Sequence, residues 1–268
     1  MTLVADSALL RAYSQRIGLS LPARADREAL DALILAHVRA IPFENLDILL
    51  GRPIRLDLDS IANKLVAGRR GGYCFENNAL LAAVLRALGY RVRTLGARVH
   101  ASSGELRART HMVLEVELTE GPRLVDAGFG GRGPTAALRL AAGDEQPQDL
   151  DTYRLIAAED DTLTLQVLGE GRFTDLYTFG RERYLPIDYE LANYWTSTHP
   201  SSKFVRELIA VRATREGRFI LHDEELLFRS AQGAVERRRV GSGEDRLAAL
   251  SEHFGLTFPS GTEFHLGR

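Results

Sequence analysis

Cysteine is nearly missing from this 268-residue chain, which has one, Cys74. A single cysteine closes no internal disulfide, and without a Cys-x-x-Cys pair no thiolate zinc site is expected. Neither sign of charge is in excess: 34 Lys and Arg face 36 Asp and Glu, for a formal charge of -2. That balance leaves no electrostatic footprint for nucleic acid or for an anionic membrane surface. No run approaches the roughly 18 consecutive apolar residues that a membrane-spanning helix requires. At the start of the chain Asp6 precedes any basic residue and no long apolar core follows, so the segment does not read as a signal peptide. Repeats and low-complexity linkers are absent as well. The expectation is a soluble cytoplasmic protein, in a reducing compartment, whose units pack tightly.

What is present is ordinary globular composition, 45% hydrophobic and 26% charged, at a length that accommodates two or three compact units. The first 90 residues read as helical. Leu9, Tyr13 and Ile17 recur every four residues and stop at Gly18. Leu30, Leu33, Ile34, Val38 and Ile41 form a second stripe, opened by Asp26 as N-cap and closed by Pro42. A third helix fits Ile61 to Val66, capped by Asp59 or Ser60. A fourth runs from about Phe75 to Gly89, with Leu80, Leu81, Val84, Leu85 and Leu88 on one side. After Gly89 the period changes to two. Strands are expected around Val92 and Thr94, over Thr110–Leu118, and at Leu163–Leu168, Arg172–Tyr177, Glu207–Ala213 and Arg218–Leu221. Ala142–Asp151 reads as a surface loop and Asp245–Phe254 as a last helix. The class is α+β: a helical unit over 1–89, a β-rich unit over 90–195 and a mixed unit over 196–268.

Cys74 sits in Arg69-Arg70-Gly71-Gly72-Tyr73-Cys74-Phe75-Glu76, where two glycines lead into the fourth helix. The free N–H groups and dipole of a helix N-terminus favour an anion, so a thiol there ionises more readily. The same N–H groups can receive the oxyanion formed when a thiolate attacks a carbonyl. The plainer reading is a small buried hydrophobe. A thiolate nucleophile needs a histidine to move protons and a third group to hold the imidazole. His111 opens a strand on the face opposite Met112, Leu114 and Val116. Asp126 lies between Val125 and Ala127 at the end of an apolar strand, where a buried charge needs a partner. A surface histidine and a turn-initiating aspartate remain the alternatives. The order Cys, His, Asp resembles that of thiol enzymes with a papain-like or transglutaminase-like core. Gly128, Gly130 and Gly133 satisfy Gly-x-Gly-x-x-Gly, yet Pro134 and a polar loop follow instead of a helix, which argues against a dinucleotide site.

These motifs together resemble the arylamine N-acetyltransferases through most of the chain. Tyr13-Ser14-Gln15-Arg16-Ile17-Gly18 is similar to the family's opening helix, and Ile41-Pro42-Phe43-Glu44-Asn45-Leu46-Asp47 to its second signature. Arg70 to Glu76 matches the nucleophile motif, Thr110-His111-Met112 and Val125 to Gly130 the segments of the other two catalytic residues, and Ser197 to Phe204 a segment near the active site. Ala127 stands where valine is frequent, and past Phe204 no motif is evident. The resemblance implies a helical bundle, a β-barrel and a C-terminal α/β lid. It implies a catalytic triad of Cys74, His111 and Asp126, with acetyl coenzyme A as co-substrate and no permanently bound cofactor. Arylamines or hydrazines are the implied acceptors, reached by ping-pong transfer through an acetyl-cysteine. Phe43, Phe129 and Phe204 are the implied substrate contacts; Thr110, Gly128 and Gly130 are those of the coenzyme. The arginines at 86, 91, 93, 98, 107 and 109, and the runs at 212–218 and 237–239, read as solvated faces and not as phosphate sites. Three other functions remain compatible with a reactive Cys74: a related amide synthase fed by a carrier protein, a transglutaminase- or peptidase-like hydrolase, and a redox-sensing or binding protein.

Overall fold

Asp6 accepts a hydrogen bond from Leu9 N and so starts α1 (Ser7–Ile17), which ends where Gly18 takes a left-handed conformation. This computed structural model describes residues 3–101 and 104–266. Asp26 caps α2 (Arg27–Ala40) in the same way, as its position in the sequence anticipates. The short β1 (Phe43–Glu44) and α3 (Leu46–Leu49) follow. The third expected helix begins earlier than its period suggests. The cap of α4 (Leu58–Ala62) is Asp57, which accepts from Ser60 N, and neither Asp59 nor Ser60 fills that role. It continues through a π-helical turn over Asn63–Ala67.

α5 (Cys74–Ala87) is buried on every side from Cys74 to Leu85 and is not the one-faced helix its leucines suggest. It forms the centre of the helical layer, packed with Leu30, Leu33 and Ile34 of α2 on one side and Leu114, Val116 and Val125 on the other.

Eight strands form one antiparallel sheet: β2 (Arg91–Val99), β3 (His111–Glu117), β4 (Arg123–Val125), β5 (Leu138–Arg139), β6 (Gln146–Pro147), β7 (Thr152–Ala157), β8 (Leu163–Gly169) and β9 (Arg172–Phe179). Their order is β5-β4-β3-β2-β9-β8-β7-β6. The two end strands meet through one side chain. Gln146 accepts from Arg139 N at 2.6 Å and donates to Arg139 O, imitating a strand partner and nearly closing the sheet into a barrel. Part of the expected 142–151 loop is therefore a strand. Both faces of β3 are buried. Leu114 and Val116 face the helices, while Val113 faces the barrel interior with Leu95 and Leu124. His111 thus looks into the barrel and not away from an apolar layer.

α6 (Pro186–Thr198) and α7 (Lys203–Arg206) lead to β10 (Ile209–Ala213), β11 (Gly217–His222), β12 (Glu225–Ser230) and β13 (Val235–Arg239). Their sheet has the order β1-β10-β11-β12-β13, so a strand from the N-terminal part completes it. α8 (Glu244–Ala249), with a π-helical turn over Leu250–Phe254, packs Leu247, Leu250 and Phe254 against it. No helix among the described residues is long and apolar enough to cross a membrane.

Candidate active site

The segment before Cys74 is held by buried charge. Glu44 accepts two bonds from Arg70, at 3.0 and 2.7 Å, and Lys64 pairs with Asp47 at 3.0 Å and Glu76 at 2.8 Å. Burial raises the Glu76 carboxyl above its ordinary range, with Lys64 opposing. Burial acts likewise on Asp47, but Lys64 and Arg70 outweigh it and hold that carboxyl low. Glu76 Oε2 accepts from Tyr73 N, and a Cβ on Gly72 would stand 2.7 Å from the same oxygen. Gly72 O accepts from Asn77 Nδ2 at 2.6 Å. The loop is thereby clamped back onto the helix it opens, with Cys74 as the first helical residue.

The structure brings Cys74, His111 and Asp126 together from α5, the start of β3 and the turn after β4. His111 Nε2 donates to Asp126 Oδ2 at 2.8 Å, and the same imidazole lies close enough to Cys74 to feel its charge. Cys74 Sγ stands 3.7 Å from Thr110 O. All three are buried, at 4%, 4% and 1% exposure. Burial alone would lower the histidine's affinity for a proton. The Asp126 carboxylate outweighs it, with Cys74 adding in the same direction, so the His111 pKa is raised above its ordinary 6.5.

The neighbouring walls are aromatic. Phe129 packs edge-on against His111, with centroids 5.4 Å apart, and Tyr177 of β9 lies 5.0 Å from the imidazole on another side. Phe43 and Phe204 pair at 5.9 Å, and Phe204 meets Tyr73 edge-on. Gly130 lies against the Phe43 ring, 2.7 Å from where a Cβ would stand. Of the residues expected from sequence, Phe129 lies against the imidazole, Phe43 and Phe204 belong to the apolar cluster that holds Cys74, the Thr110 carbonyl meets the Cys74 sulfur, and Gly130 backs the Phe43 ring. Gly128 is placed differently, against Cys74 itself: its missing Cβ would lie 2.6 Å from Cys74 Cα. Lys203, half-buried and with its proton affinity lowered by that burial, lies close enough to Cys74 and Arg107 to feel both charges.

Several residues at the site were not anticipated. Asn78 donates to Asp126, Tyr177 flanks the imidazole, and Asn45 ties β1 to the segment after α7. Asn45 Nδ2 donates to Phe204 O and Glu207 O, both at 2.7 Å, and its Oδ1 accepts from Ile209 N. Consecutive asparagines inside an apolar helix are the available signal, because a buried amide needs partners. The arginines read as solvated divide: Arg91, Arg93, Arg109 and the run 237–239 are exposed, whereas Arg86 donates to Leu3 O and Val92 O, Arg212 donates to Arg39 O, and Arg218 is buried. Among the described residues no group of His, Cys, Asp and Glu is arranged to hold a metal ion.

A thiol at a helix N-terminus, with an imidazole and a carboxylate supplied by an antiparallel barrel, defines the class of thiol enzymes with a papain- or transglutaminase-like core. The family model described as N-acetyltransferase matches residues 26–262. The arylamine N-acetyltransferase of Mycolicibacterium smegmatis is 42% identical over 254 residues, 92% of this chain and 91% of its own. The solved arylamine N-acetyltransferase of Salmonella typhimurium superposes with a TM-score of 0.90 at 35% identity, covering 97% of this chain and 95% of that one. A Mycobacterium marinum arylamine N-acetyltransferase solved in complex with CoA superposes with a TM-score of 0.88 at 38% identity, covering 92% of each chain. The chain belongs to the arylamine N-acetyltransferase family.

Proposed function

We propose that this protein carries an acetyl group from acetyl-CoA to an arylamine or hydrazine by way of an acetyl thioester on Cys74. The observation that carries the reading is the convergence of Cys74, His111 and Asp126 in one buried site, with the imidazole held by Asp126 and close to the thiol. In the first half-reaction the Cys74 sulfur attacks the acetyl carbonyl while its proton is held on His111. The oxyanion is received by N–H groups of the first turn of α5, which lack intrahelical acceptors. Collapse breaks the bond to the coenzyme sulfur, which leaves as a thiol with the proton from His111. In the second half the amine attacks the thioester, His111 takes the amine proton and returns it to the Cys74 sulfur, and the amide departs. Asp126 holds the imidazole and stabilises its charged form throughout.

One thioester is exchanged for another in the first step, so the acetyl group can wait on Cys74. The aromatic enclosure of Phe43, Phe129 and Phe204 disfavours water as the competing nucleophile. Lys203 sets positive charge near the thiol, with Arg107 beside it, which suits an anionic donor. We divide the chain into a nucleophile-bearing helical unit over 1–89, a barrel over 90–195 and a lid over 196–268.

The test is thiol release from acetyl-CoA with and without an arylamine. Sustained release only in the presence of amine is expected. Full-rate release without amine would make the protein a hydrolase, and no release at all would remove the activity.

A further inference from the structure

The thiol, the imidazole and the carboxylate stand on three different elements, so no single element sets the distances among them. One side chain, carried by the helix of the thiol, bonds both of the other elements. Asn78 follows Cys74 by one turn on α5 and is fully buried. Its Nδ2 donates at 2.7 Å to the carbonyl of Met112, the residue after His111 on β3. The same nitrogen donates at 2.9 Å to Asp126 Oδ1, and its Oδ1 accepts from Ala127 N at 2.9 Å. The other Asp126 oxygen is the one that holds His111. An asparagine is a poor choice for a helix interior flanked by Ala79, Leu80 and Leu81, both in propensity and in the burial of its amide. Its three bonds account for that choice. A leucine there would orphan the Met112 carbonyl and the Ala127 N–H, and would leave Asp126 Oδ1 with Gly128 N alone among the donors seen here.

We propose that Asn78 is a positioning residue, the amide that fixes Cys74, His111 and Asp126 at working distance from one another. The inference rests on the triad reading given above. The titratable groups facing His111 are Cys74 from α5, Asp126 after β4 and Tyr177 from β9. Of these, Asp126 is the one that lifts the histidine's proton affinity most. With the clamp gone Asp126 can turn away, its pull on the imidazole weakens, and the pKa of His111 moves back toward its ordinary value.

The experiment compares Asn78→Ala with the native enzyme and with Leu30→Ala, which weakens the helical core on α2, an element that carries none of the three site residues. Acetyl transfer from acetyl-CoA to an arylamine is followed across pH below the melting temperature of each protein. For Asn78→Ala, kcat is expected to fall about 10- to 100-fold with little change in the KM for acetyl-CoA. The alkaline limb of its kcat/KM profile should also move to lower pH, and the limb of Leu30→Ala should not. If Asn78→Ala fails to fold, Asn78→Ser, which keeps one donor in the space, carries the same readouts. A folded variant with near-native kcat, or one with reduced kcat and an unmoved limb, overturns the proposal. Asp126→Asn in the same series separates the two levels of failure. Activity kept there undoes the triad reading itself, whereas activity lost there but kept in Asn78→Ala undoes only the role of Asn78.

Discussion

Gly128 and Cys74 are packed backbone to backbone: a Cβ on Gly128 would stand 2.6 Å from Cys74 Cα and 2.9 Å from Cys74 O. Neither neighbour is the tip of a flexible side chain, so neither can swing aside. The turn after Asp126 is thereby pressed onto the first turn of α5, and this contact sets the approach of the two backbones within which Asn78 holds the carboxylate. Gly128→Ala is expected to destabilise the fold by roughly 1–3 kcal/mol, the range for overpacking a filled site. Its kcat should fall further than that loss explains, because the turn carrying Asp126 is displaced. Urea unfolding alongside steady-state rates checks this, and native stability with native rate would show that the turn tolerates the methyl group.

Cys74 is the only cysteine, which makes the covalent step directly countable. Acetyl-CoA without amine should add one acetyl group per chain by intact mass, and that adduct should vanish when an arylamine is supplied. Double-reciprocal plots at several amine concentrations should be parallel. Cys74→Ser should fold normally and turn over nothing, since a hydroxyl at that position is far less acidic than a thiol. Intersecting plots with no adduct at any time would place transfer in a ternary complex and make the cysteine a bystander.

α1, α2, α5, α8 and the three elements of the site were readable because each carries a local signal, whereas α6, inside the stretch read as β-rich, was not anticipated. Asp26 and Gly18 mark helix ends by their own chemistry, and the run from Gly71 to Glu76 announces a helix N-terminus with a thiol on it. The cap of α4 was misplaced because Asp57, Asp59 and Ser60 offer three competing oxygens within four residues, and only the fold selects Asp57. β13 escaped notice because Val235–Arg239 is an exposed edge strand with four charged residues in five, where side-chain alternation carries no burial signal. The pairing of β1 with β10 joins residues more than 160 positions apart and has no local trace. Asn78 and Tyr177 were missed for a related reason. Their partners, Asp126 and His111, lie on other elements, and only the polarity of two asparagines in a buried helix hinted at them.

His37 gives the fold a dependence on acid. It is fully buried, with Nδ1 accepting from Tyr13 Oη at 2.8 Å and Nε2 donating to Asn77 Oδ1 at 3.1 Å. Burial lowers its pKa from 6.5 to about 4, with the Asn77 bond opposing and Arg16 assisting. The unfolded chain therefore binds a proton at a higher pH than the folded one. This contribution is present above pH 6.5 and is lost as pH falls toward 4. His111 has the opposite sign: its contribution is intact below 6.5 and lost at higher pH, so it adds no slope in the acid window. The stability difference between native protein and His37→Gln should shrink by about 3 kcal/mol between pH 7 and pH 4. Urea midpoints at the two ends measure it, and a constant difference would show that His37 protonates without cost.

Asp151 joins the barrel to the C-terminal sheet. Its side chain is wholly buried and accepts from Arg132 Nε at 2.9 Å and from Arg229 Nη1 at 2.7 Å, with Arg218 Nη2 at 3.7 Å. These arginines come from the turn following β4, from β12 and from β11. Arg218 also donates to the carbonyls of Gly131 and Gly133, in the turn that presents Phe129 to His111. Asp151→Asn keeps the shape and removes the charge, leaving three guanidinium groups around a neutral amide. Removing one partner of a buried ion pair costs about 3–5 kcal/mol, because the remaining charge has no compensation. The variant should unfold at correspondingly lower urea. It should also lose affinity for the arylamine, since the turn holding Phe129 is no longer anchored by Arg218. A loss of stability with an unchanged KM for the amine would confine Asp151 to the framework. Native stability would mean that the arginines find other acceptors, and that the barrel and sheet are held together by apolar packing alone.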